Sequence, residues 1–217
     1  ALNTTQAASL TTTQVSNLTS TQLNLMQTSD VAALSTAAVA SLTSTQLNAL
    51  TSTNLQALST AQAAALTTTQ AANLTSTQLN LLQTSDVGAL STAAVASLTS
   101  TQLNALNSTN LEALSTAQVA KLTTTQVSNL TSTQLNLMQT TDVAALTTTQ
   151  MASLTATQLD NLDASHLAAL PSVASLTSTQ LNAMASTNLQ ALSTTQAAAL
   201  TTTQVSNLTS TQLNLMQ

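Results

Sequence analysis

The 217-residue chain has no Cys, Phe, Trp, Tyr, Ile or Arg, and one each of Gly (Gly88), Pro (Pro171), Lys (Lys121) and His (His166). Without cysteine there are no disulfides, thiolate chemistry or Cys-based zinc sites, and no redox compartment is implied. Nucleic-acid binding needs cations to displace counterions and usually rings to stack on bases, so one lysine against six acids excludes it. A membrane-spanning helix needs about 18 consecutive apolar residues, and Thr, Ser, Gln or Asn interrupts this chain every few positions. No basic segment followed by an apolar one opens the chain. Any core must be built from aliphatic side chains, chiefly the 40 Leu and 10 Val.

What the chain has is a period of eight. Leu or Met recurs at every eighth position from Leu2 through Met26 and Met138 to Leu170. Written from that anchor, the octad is apolar at position one, usually Thr or Ser at two, usually Gln, Asn or Asp at five, and typically Leu, Val or Ala at six. A longer period of seven octads lies over it, so that Leu10–Ala65 matches Leu66–Lys121 almost residue for residue, and Asp30, Asp86 and Asp142 mark it. After Leu146 the third cassette departs from the pattern. Beyond Leu170 the phrase Pro171-Ser172-Val173-Ala174-Ser175 reaches Leu176 in six residues, two short of an octad. The chain reads as a single octapeptide array over 1–217, irregular near 147–176. Both ends fall within a phrase, as in an excerpt from a longer chain.

One continuous α-helix does not fit an octad, because eight residues at ~100° each carry the Leu stripe about 80° further round at every repeat. A straight strand does not fit either, since positions one and six have opposite parity and face opposite sides of a sheet. Each octad therefore contains a bend, and its chemistry is legible: Thr or Ser followed three residues later by Gln is the capping-box signature. In Thr19-Ser20-Thr21-Gln22-Leu23, the Thr19 hydroxyl is expected to accept from the Gln22 amide while the Gln22 side chain reaches back to the Thr19 N–H. Helices of little more than one turn are unstable alone, so neighbouring repeats must bury their Leu residues together. The expected fold is an all-α solenoid of very short capped helices, one per octad. The alternatives are a β-solenoid with sixteen-residue coils and Thr ladders on a flat face, which the single Gly88 disfavours at its corners, and disorder.

The octads, for example Leu42-Thr43-Ser44-Thr45-Gln46-Leu47-Asn48-Ala49-Leu50, resemble the Leu-Thr-x-x-Gln-Leu/Val-x-Ala repeat arrays of long bacterial surface and filament-type proteins. The resemblance implies a secreted or cell-surface structural role and carries no catalytic residues.

Asp160, Asp163 and His166 are the one cluster of metal-ligand type, hard oxygen with imidazole. In octad register Asp163 stands at the N-cap position and His166 replaces Gln at five, so capping explains them without a metal. Asp30, Asp86 and Asp142 also replace Gln at position five, where a carboxylate near a helix start is favoured. One carboxylate per cassette does not fill a calcium shell. Lys121 and Glu112 read as solvated. The single His has no Ser partner with an orienting acid, so the chain is expected not to be an enzyme and to bind no cofactor. Asn-x-Ser/Thr sequons stand at Asn3, Asn17, Asn73, Asn107, Asn129 and Asn207. With little charge to oppose contact, the expected partner is the chain itself, as oligomer or filament of an extracellular fibre, sheath or stalk. The alternative role, engaging ice or carbohydrate through a flat Thr face, requires the β geometry.

Overall fold

The corner of each octad is formed by extended backbone. At Leu74 and Thr75, for instance, φ/ψ run from −60°/137° to −68°/154°, and the hydroxyl of Thr75 then opens the next helix. No described residue has positive φ, which is why one Gly suffices for the whole array. In a computed structural model of the chain, which describes residues 2–215, the octads form twenty-six α-helices of four to six residues. They run from Thr4–Ala8 to Ser210–Leu215 and are joined at one place by a 3₁₀ turn, Val173–Ser175. There is no strand among the described residues, so the β-solenoid and the Thr ladders it would carry are not formed there. Ala1, Met216 and Gln217, among them the last anchor of the period, lie outside the described residues.

The capping box expected at Thr19 is present. The Gln22 amide donates to the Thr19 hydroxyl at 3.2 Å, and the Thr19 N–H donates to the Gln22 side chain at 2.8 Å. The same reciprocal pair starts most of the helices, for example at Thr43, Ser59, Thr131 and Thr201. Positions one and six form the core, as with Leu34, Leu42 and Leu50 from the first set and Val39, Leu47 and Leu55 from the second.

Within each unit, helices pack on the one three octads before them. Thr28–Ala33 lies on Thr4–Ala8, Thr36–Ala40 on Thr12–Ser16, and Thr92–Ser97 on Thr68–Asn73. A coil therefore takes three octads, and stacking the coils buries the Leu that no single turn of helix could shelter. The coils fall into two compact units, Ala1–Ala113 and Leu114–Gln217, each a solenoid of this kind. The octad runs across 113–114 unaltered, and nothing in the sequence marks that boundary.

In the second unit, ordinary short helices cover Thr148–Ser153, Ala156–Asp160 and Ala164–Ala169. The short step follows. Val173 is fully buried, as position-six residues are, and Leu176 is again an anchor. The two absent residues are thus taken from positions two to five, the capping half, and the core half survives.

Candidate functional site

The recurring polar side chains meet at the corners, where the start of one helix lies over the corner of the preceding coil. Gln46 shows the full arrangement. Its Oε1 accepts from the Thr43 N–H at 2.7 Å, and its Nε2 donates to the carbonyls of Val15 at 3.2 Å and Leu18 at 2.6 Å, 31 and 28 residues earlier. One amide therefore caps its own helix and bonds two carbonyls at the end of another, of which Val15 O also accepts from the Leu18 N–H. The same two offsets recur for Gln62, Gln70 and Gln102 in the first unit and for Gln150, Gln158 and Gln204 in the second. For Gln180, whose coil includes the six-residue step, the offsets shorten to 29 and 26, and the bonds to Met151 and Leu154 persist at 3.1 and 2.6 Å.

A second column is built from Asn at position seven. Asn24 Nδ2 donates to the Ala49 carbonyl at 2.7 Å while its Oδ1 accepts from the Thr51 N–H at 2.9 Å, tying it to the next coil. Asn48 and Asn80 repeat this pair of bonds, as do Asn136 and Asn182 in the second unit. Sequence reasoning passed over this column. Its signal is the spacing of 24 between Asn24 and Asn48 and between Asn80 and Asn104, which is one coil.

The three candidate metal ligands fall into these columns. Asp160 stands at position seven, and its carboxylate accepts from the Ala185 N–H, as Asn does elsewhere. Asp163 caps the helix Ala164–Ala169 by accepting from the His166 N–H at 2.9 Å. The Ser165 hydroxyl first, then the backbone N–H and ring of His166, hold the Asp163 carboxyl well below the usual carboxylate range. His166, buried at position five, keeps the inter-coil half of the Gln role, Nε2–H donating to the Met138 carbonyl at 2.8 Å; its Nδ1 lies 2.8 Å from Asp163 Oδ1, while the Asp163 N–H donates to Asn136 Oδ1 instead. The structure pairs Asp163 with His166 and leaves Asp160 to another joint. Among the described residues, no three His, Asp or Glu side chains form a group able to hold a metal ion.

Asp30, Asp86 and Asp142 lie in the first turn of their helices as the dipole argument anticipates, yet all three are buried, at 2%, 1% and 2% exposure. Lys121 and Glu112 are exposed. A pocket of about 230 Å³ on the first coil is lined by Leu2, Leu18, Gln22, Leu25, Met26 and Asp30, with Leu25 78% exposed. No described helix is long and apolar enough to cross a membrane.

Short capped helices joined by a repeating amide register define an α-solenoid repeat protein. Residues 23–60, 79–116 and 173–210, together more than half of the chain, match the model of the ALTTAQ repeat, and the chain belongs to that family. The matched segments open at Leu23, Leu79 and Val173, all at position six, so the third match begins within the short step, at its core half. Comparison with curated proteins gave no match.

Proposed function

We propose that this chain is a structural segment that extends a fibre, sheath or stalk outside the cell or at its surface by self-association, and that it is not an enzyme. The observation that carries this reading is the uniform joint. Position-five amides, and Asn where it stands at position seven, bond the neighbouring coil in both units, mostly at the same offsets, so coils add largely by one rule. A surface of amides and hydroxyls with a formal net charge of −5 over 217 residues opposes association little. The extracellular setting rests on the resemblance of the octads to surface and filament repeats. Negative-stain microscopy and light scattering of the purified chain test it: elongated or laterally associated particles are expected, and monodisperse monomers at high concentration would overturn it.

A further inference from the structure

Position five presents an amide to the neighbouring coil in most octads. In the helix Thr84–Ala89 it presents Asp86, whose carboxylate is hydrogen-bonded by the backbone of Gln83 and whose Oδ2 is buried with no hydrogen-bond partner. The second unit repeats this at Asp142, bonded by the backbone of Gln139 and again with an unpartnered, buried Oδ2. The same unsatisfied atom thus recurs at the same cassette position once in each unit.

What Oδ2 faces is given by the side chain of equal length. Asn54 and Asn110 also stand at position five. Asn54 Nδ2 donates to the carbonyls of Leu23 and Met26 at 3.1 and 3.4 Å, and Asn110 Nδ2 to those of Leu79 and Leu82 at 3.3 and 3.5 Å. These lie 31 and 28 residues earlier, which in the register of Asp86 are Leu55 and Leu58. The Gln83 side chain already donates to the Gln56 carbonyl between them, at 2.6 Å. Asp therefore puts an acceptor where its isostere puts a donor, against carbonyls at the negative end of a helix. An ionised oxygen is repelled there, whereas a carboxylic acid O–H donates as the Asn amide does.

We propose that Asp86 and Asp142 act as carboxylic acids in the folded array, donating to the neighbouring coil, so that each is a pH-sensitive joint closed by protonation and loosened by ionisation. Among groups on the helices packed against Thr84–Ala89, namely Thr60–Ala64 and Ser108–Glu112, the titratable one is the exposed Glu112. Against Thr140–Val143 pack Thr116–Val119, with Lys121 two residues beyond it, and Ala164–Ala169, which carries His166 capped by Asp163. Burial pushes both carboxyls up from the ordinary aspartate value of 3.8, against the backbone hydrogen bonds that lower them. Their contribution to stability is thus complete below that ordinary value and is lost as pH rises through the folded one.

The test is carboxyl-carbon NMR on the full chain with a parallel series of melting temperatures across pH. Asp86 and Asp142 are expected to titrate above the ordinary aspartate range, with Tm falling over the same interval. The double variant Asp86→Asn, Asp142→Asn places the residue already tolerated at 54 and 110, and it is expected to hold the acid-side Tm throughout. Titration of both carboxyls in the ordinary range would overturn the proposal, as would a variant whose Tm follows pH like the parent. The NMR measurement stands whether or not the variant folds.

Discussion

Replacing Gln70 by Leu separates the two roles of the position-five amide. Gln70 is 2% exposed; its Oε1 accepts from the Thr67 N–H at 2.8 Å, and its Nε2 donates to the carbonyls of Val39 at 3.0 Å and Leu42 at 2.7 Å. Val39 O also accepts from the Leu42 N–H, whereas Leu42 O depends on the amide. Leucine fills the volume but strands that buried carbonyl, at about 1–3 kcal/mol, and removes half of a capping box worth about 1 kcal/mol. The added apolar burial returns about 1 kcal/mol, leaving a net loss of about 1–3 kcal/mol. Gln14→Leu is the internal control. Gln14 is exposed, and its side chain bonds only within its own capping box at Thr11, so about 0.5–1 kcal/mol is expected. Gln70→Asn should fall between them, since Asn54 shows that the shorter amide still reaches the neighbouring coil. Native-state hydrogen exchange on the full chain reads these losses helix by helix at Thr36–Ala40 and Thr68–Asn73. Losses at Gln70 and Gln14 within about 0.5 kcal/mol of each other would refute the view that the inter-coil bond carries most of the energy.

Leu47→Ala, at a fully buried position six, should cost about 2–5 kcal/mol in urea unfolding, while Leu25→Ala, 78% exposed, should stay within about 0.5 kcal/mol. The depressed Asp163 carboxyl contributes stability that is present above the ordinary aspartate value and lost as pH falls through its folded value. An NMR titration should find it still ionised where ordinary aspartates protonate, and Ser165→Ala should move its midpoint up. Gly88→Ala gains up to about 1 kcal/mol of helix propensity, but the new Cβ would meet the Ala113 carbonyl at 3.0 Å. The two effects are expected to leave the thermal midpoint nearly unchanged, and a large drop would show that the 113 carbonyl cannot yield.

Much of the local structure was legible because capping acts across three residues. Thr19 and Gln22 lie three apart in sequence and meet within one turn of helix, so the sequence alone yields the helix start, and the period of eight yields the buried sets at one and six. The same reasoning placed Asp163 and His166 correctly. It read Asp160 only as a possible ligand, because the Ala185 N–H that occupies its carboxylate lies 25 residues away.

The octad, its capped turn and its aliphatic core were determined by the sequence, since each depends on neighbours within eight residues. Three octads per coil, the second bond of the buried position-five amides, the Asn column and the division at 113–114 were decided only by the tertiary structure. Those features depend on which corner the packing brings over which, and no interaction inside one octad specifies the angle through which its corner turns.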